Sequence, residues 1–180
     1  RFIAAGDLGR VPYLVMEKLS GNTLEMWMKT FSSAGEAIPV EAIARIGAKL
    51  AQAVHSLHQQ NACHLDLKPA NVLISDEDRV VLLDFGLSCH ADYPDLMAEE
   101  FRKAVGSPAW IAPEQVVGVR GDPRSDVFAL GVMLYEMATG ELPFGYPTTS
   151  GGLRQRLWMS PRPPRAWRAD LPEWLQEIIL

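Results

Sequence analysis

The stretch from Ala62 to Gly86, ACHLDLKPANVLISDEDRVVLLDFG, constrains the chain more than any other. Two short apolar runs, Val72-Leu73-Ile74 and Val80-Val81-Leu82-Leu83, are separated by the polar turn Ser75-Asp76-Glu77-Asp78-Arg79. That pattern predicts a β-hairpin. A hairpin returns the chain to its start, so Asp84, just past the second strand, comes back beside Asn71, just before the first. The loop leading into the hairpin carries Asp66 and Lys68. Two carboxylates, an amide oxygen and an ammonium then converge, a set that suits a divalent cation and phosphate better than an apolar core. Read without that convergence, Asp66 and Asp84 are turn or capping residues.

Three motifs follow one another in order: His64-Leu65-Asp66-Leu67-Lys68-Pro69-Ala70-Asn71, Asp84-Phe85-Gly86 and Ala112-Pro113-Glu114. Together they resemble the catalytic loop, the metal-binding loop and the platform motif of eukaryotic-type (Hanks-type) serine/threonine protein kinases. Leu65 stands where that family usually has arginine. The resemblance covers nearly the whole chain. It implies an α+β, protein-kinase-like fold, mainly the α-helical C-lobe, with two residual N-lobe strands and a catalytic β-hairpin. It also implies one partial kinase domain over residues 1–180: the end of the N-lobe at 1–16, the hinge at 17–19, and a truncated C-lobe at 20–180.

By the same resemblance, Asp66 is the base for the acceptor hydroxyl and Lys68 neutralises the γ-phosphate as charge develops. Asn71 and Asp84 hold Mg²⁺, with Mn²⁺ as an alternative, against the phosphates of ATP. Met16 matches the gatekeeper, Glu17 to Leu19 the adenine-binding hinge, and Leu73 the floor beneath the adenine. Leu24, Met133 and Met137 match that floor too, although core packing accounts for them equally well. Ser107, Pro108 and Trp110 belong to the peptide platform, with Ser107 placed to bond Asp66 and Lys68. His64 and Phe85 stack in the spine joining the lobes, Asp126 accepts backbone hydrogen bonds from the catalytic loop, and Glu114 pairs with an arginine beyond this stretch. Lys68 in the pattern D-L-K-P-x-N resembles serine/threonine rather than tyrosine kinases, so the implied partners are ATP and proteins offering Ser or Thr. The alternative is a pseudokinase-type scaffold, against which the intact Asp66, Lys68, Asn71 and Asp84 argue. No glycine-rich phosphate loop, strand lysine or partner glutamate is present, so these residues alone are expected to be a poor kinase. Leu65 offers no donor to a phosphorylated activation segment, so activity is expected not to need phosphate there.

Composition narrows the remaining classes. A chain of 180 residues with 48% hydrophobic content can bury a core. Net charge is −5 and no long basic run is present, which argues against nucleic acid as a partner. No apolar run is long enough to span a bilayer, and no secretory signal opens the chain. Cys63 and Cys89 have no metal-ligand spacing and are read as reduced thiols of a cytoplasmic protein. Membrane anchoring of a longer protein would lie in segments outside this stretch.

Periodicity sets the other elements. Phe2–Ala5 and Tyr13–Met16 predict a hairpin joined by Gly6–Arg10, for which an ordinary buried hairpin is the plain reading. Leu24, Trp27, Met28 and Phe31 predict a helix from Thr23 to Phe31, followed by a loop over 34–38. The longest helix is expected from Pro39 to about Gln60, with Ile43, Ile46, Leu50, Val54 and Leu57 on one stripe. His55 and His58 lie near that stripe as structural histidines. A helix from Ser125 to Thr139 is apolar nearly all round and therefore buried. Shorter helices are expected over 94–105, from Ser150 to Trp158, and from Pro172 onward.

Overall fold

The structure, a computed structural model, describes residues 2–95 and 106–180. The expected helix over 94–105 lies almost wholly outside the described residues. Strands β1 (Phe2–Leu8) and β2 (Val11–Met16) form an antiparallel hairpin. Its turn is shorter than the sequence suggests. Gly9, at φ +70°, supplies the reversal with Arg10, and Gly6 stays inside the strand under the Tyr13 ring. The hairpin is not buried: every residue of β2 is exposed, and only Gly6 of β1 is even partly covered.

Helices α1 (Leu24–Ala34), α2 (Val40–His58) and α4 (Arg124–Thr139) build the core, with the short α3 (Pro113–Val116) ahead of α4. The Thr23 hydroxyl caps α1 by accepting from Met26 N. The helix runs past Phe31 to Ala34, where the Gly35 N–H caps Phe31 O and Ser32 O. In α2, Ile43, Ile46, Leu50 and Val54 are buried on one face. Their burial contributes roughly 6–12 kcal/mol before ordering entropy is subtracted. Glu41 in its first turn complements the helix dipole. Gly47 lets α4 come close, since a Cβ there would lie 2.6 Å from Leu134 Cδ2. Helix α4 is buried through Ala129, Val132, Met133, Leu134, Tyr135, Met137 and Ala138.

On this base sits the hairpin of β5 (Val72–Ser75) and β6 (Val80–Leu82), antiparallel with Val72 opposite Leu82. Two further pairings carry too short a pattern to be seen in the sequence. Strand β3 (Gly21–Thr23) adds to the outer side of β5, and β4 (Ala62–Cys63) pairs with β7 (Cys89–His90). Arg45 and Lys49 of α2 both bind the Asp78 carboxylate, which ties the β5–β6 turn to the helix. The chain ends in α5 (Ser150–Arg154), which tightens into a 3₁₀ turn at Gln155–Leu157, and α6 (Glu173–Ile179). No helix among the described residues is long and apolar enough to cross a membrane.

Candidate active site

The Asp126 side chain supports the loop between β4 and β5 from below. Asp126, at the first turn of α4 and 1% exposed, accepts from His64 N and Leu65 N, both at 2.8 Å. His58 Nε2 lies 2.9 Å from the same carboxylate. Leu65 is 3% exposed and sits at φ +65°, a region disfavoured for a branched apolar residue. It is held there from both sides, because its carbonyl also accepts from the buried Gln115 amide at 2.9 Å. His64 is fully buried, and its ring tautomer follows from its partners. Nδ1 accepts from Asp66 N, so Nε2 carries the hydrogen and donates to Leu83 O at 2.9 Å. The His64 ring also packs at 4.9 Å from that of Phe85.

That floor points Asp66 into a polar cluster. Its Oδ1 accepts from Ser107 N at 2.8 Å, and its Oδ2 from Lys68 Nζ at 3.0 Å and Asn71 Nδ2 at 3.3 Å. Lys68 Nζ donates as well to Ser107 Oγ at 2.8 Å. Asn71 Nδ2 donates also to Asp66 O, so the amide nitrogen faces the loop and its oxygen is turned the other way. Leu83 N donates to Asn71 O at 2.8 Å, which brings Asp84, the next residue, back to the start of the hairpin. Asp84 is exposed at φ +60°, with Oδ1 accepting from Gly86 N.

The remaining sequence candidates surround this cluster. Beside Lys68, Ser107, Pro108 and Trp110 opens a cavity of about 710 Å³, with Glu136 on its wall. Trp110 Nε1 donates to Glu136 Oε2 at 3.2 Å. Burial pushes the Glu136 carboxyl up, and the Trp110 hydrogen bond only partly offsets it. Glu114 accepts from Ser125 Oγ at 2.7 Å. Leu73 is 8% exposed under the hairpin, and Leu24, Met133 and Met137 are full core residues. Met16 and Glu17 are exposed and Leu19 half-buried, on the segment that leads from β2 to β3. Gln115 and Arg120 escape sequence reading. Their partners, Leu65 for one and Asp95 and Leu87 for the other, lie 25 to 50 residues away, and no local pattern marks such pairs.

Comparison with known proteins bears on the family of the chain. The family model described as "Protein kinase domain" matches residues 5–176. Among curated proteins, the chain is 31% identical over 175 residues to a probable serine/threonine-protein kinase of Clostridium acetobutylicum (97% of this chain, 26% of that protein). It is 35% identical over 172 residues to serine/threonine-protein kinase PknB of Mycolicibacterium smegmatis and of Mycobacterium tuberculosis (96% of this chain, 27% of each). The chain therefore spans about a quarter of the length of the curated relatives it matches. On the fold, the linked motifs and a family match over nearly its whole length, the chain belongs to the protein kinase family, of the Hanks-type serine/threonine kind.

Proposed function

We propose that these residues carry the phosphoryl-transfer centre of a longer protein kinase, which moves the γ-phosphate of ATP to serine or threonine of protein substrates. The observation that carries this reading is the hydrogen-bonded set of Asp66, Lys68, Asn71 and Ser107. An ionised carboxylate offers about four lone-pair positions. Ser107 N, Lys68 Nζ and Asn71 Nδ2 occupy three on Asp66, leaving one to accept the proton of the attacking hydroxyl. Lys68 has three N–H donors. Asp66 and Ser107 take two, and the third is available to a phosphate oxygen. Positioning and charge neutralisation of this kind are what phosphoryl transfer chiefly requires.

The donor set also fits a hard divalent cation. The Asn71 amide oxygen turns away from Asp66, and the exposed Asp84 directly follows Leu83, whose N–H bonds the Asn71 backbone carbonyl. Asn71 and Asp84 would hold Mg²⁺ or Mn²⁺, which supplies positive charge on the phosphates. Residues 17–19 would form the adenine-binding linker, with Met16 before it and Leu73 beneath. The cavity beside Ser107, Pro108 and Trp110 would receive the acceptor peptide. Residues 1–16 would complete a small lobe, a reading supported by the exposure of both faces of β1–β2. Use of ATP fits a cytoplasmic location for this domain, and the net charge of −5 argues against nucleic acid as a partner.

The test is made in the full-length protein. Asp66→Asn should lower kcat by about 10²–10⁴ with Mg-ATP affinity nearly unchanged, since it removes a base and no metal ligand. Asp84→Ala should instead weaken Mg-ATP binding about tenfold or more, roughly the loss of 1.4 kcal/mol. Equal losses of binding in both variants would reverse the assignment. Wild-type protein that transfers no phosphate would favour the scaffold reading.

A further inference from the structure

We infer that Arg120 is a positioning residue that fixes the chain leaving Asp84, using Asp95 as a permanent anionic partner. This rests on the kinase reading of Asp66 and Asp84. The Arg120 side chain is only 13% exposed, and its guanidinium is spread over two points of the segment that follows Asp84-Phe85-Gly86. Its Nε donates to Asp95 Oδ2 at 2.8 Å, and one terminal nitrogen donates to Leu87 O at 3.0 Å and reaches Asp95 Oδ1 at 3.4 Å. Leu87 is three residues from Asp84. The turn between them is closed by Ser88 N and Ser88 Oγ, both donating to Phe85 O. One side chain thus holds both ends of residues 87–95.

The loop that carries Arg120 is itself seated against the strand pair beneath the site. Gly121 O accepts from Cys63 Sγ at 3.6 Å, and a Cβ on Gly121 would lie 3.5 Å from Cys89 Sγ. Cys63 and Cys89 face each other across β4–β7, and Cys63 directly precedes His64. Arg120 therefore spans from the base of the catalytic loop to the segment emerging from Asp84. Leu65, beside Asp66, is buried and uncharged and makes no such ionic link. A planar guanidinium on a carboxylate is among the stronger charge-assisted contacts, and at half-buried sites water screens it weakly. The Asp95 charge is present without any modification, so residues 87–95 are held in place before phosphate is added anywhere.

The test uses the full-length kinase with Arg120→Ala, Asp95→Ala and the double variant. Initial rates give kcat, and hydrogen–deuterium exchange is followed in peptides covering 85–93 and 40–58. Arg120→Ala should lower kcat at least tenfold and speed exchange in 85–93 at least tenfold, while 40–58 keeps its protection. Asp95→Ala should show a smaller loss of the same kind, and the double variant no more than Arg120→Ala alone. Phosphatase treatment should leave the wild-type rate within twofold. The inference is overturned if Arg120→Ala stays within threefold of wild type in both readouts, if the single losses multiply in the double variant, or if dephosphorylation costs tenfold in rate. Should Arg120→Ala fail to fold, Asp95→Ala carries the same comparison. Should wild-type protein transfer no phosphate, the kinase reading fails separately. Exchange in 85–93 then decides: faster upholds the clamp and unchanged overturns it.

Discussion

The loop from His64 to Asn71 and the β1–β2 hairpin occupy opposite ends of the range of support a backbone can receive. His64 and Leu65 are buried and bonded to Asp126, Gln115 and Leu83. Around the hairpin, Phe2, Ile3, Leu14 and Met16 are all more than 60% exposed. Where α2, α3 and α4 supply partners, the chain tolerates a leucine at φ +65° and holds the Asp66 carboxylate against Ser107 and Lys68. Where they do not, only the antiparallel ladder and a glycine turn hold the shape. An isolated two-stranded hairpin of that kind is marginal in water. The geometry of the Asp66 cluster is thus built on the helical base, whereas the hairpin is exposed on both faces.

The strongest way to break this contrast is to remove the post beneath the loop. Asp126→Ala leaves the buried His64 and Leu65 N–H groups without acceptors. Each orphaned buried donor costs about 1–3 kcal/mol, so the loss of stability should be roughly 2–6 kcal/mol. Chemical denaturation of the wild type and variant measures it. Asp126→Asn, which keeps one acceptor oxygen and orphans one of the two donors, should lose about half as much. A loss under about 1 kcal/mol in Asp126→Ala would mean the loop holds its shape without that carboxylate.

The same contrast explains which parts the sequence revealed. The β5–β6 hairpin and helices α1, α2 and α4 carry full periods of apolar residues, and their existence and type follow from spacing. Strands β3, β4 and β7 have only two or three residues, too few for an alternation to register. Asp66, Lys68 and Asn71 are neighbours on one loop, and closure of the hairpin brings Leu83, next to Asp84, back to Asn71. The exposure of β1–β2 does not register in the sequence, because an apolar strand reads the same whether or not a partner surface is present. Gln115 and Arg120 stayed hidden since their roles exist only once distant segments are folded together.

Thiol chemistry sharpens the comparison next. Burial, with the Cys89 thiol and the Asp126 carboxylate adding to it, pushes the Cys63 thiol from 9.0 up to about 12. The thiolate is the reactive form, so alkylation of Cys63 at pH 8 should be at least about a hundredfold slower than for an unperturbed thiol. The sign for stability follows from linkage. A thiol pKa raised in the folded state favours folding below pH 9, and that contribution is lost as pH rises from about 9 toward 12. Timed iodoacetamide labelling with mass spectrometry checks the first part, and denaturation at pH 8 and pH 10.5 the second. Rapid labelling of Cys63 in folded protein would show that the β4–β7 edge opens readily.

The smallest effect is expected in the hairpin. Leu14 lies opposite Ala5 in the ladder and is 67% exposed. Little apolar area is lost from water there, so Leu14→Ser in this chain should change stability by no more than about 0.5 kcal/mol. By contrast, Leu50, fully buried in α2, should cost about 2–5 kcal/mol when replaced by alanine. The pair becomes informative when both are repeated in a longer protein containing the chain. If a small lobe covers β2 there, Leu14→Ser should rise to roughly 1.5–3 kcal/mol, the value of a buried leucine side chain, while Leu50→Ala keeps its cost. Parallel urea titrations of the four variants provide the comparison. An unchanged, near-zero cost for Leu14→Ser in the longer protein would show that this face of the hairpin stays open to solvent.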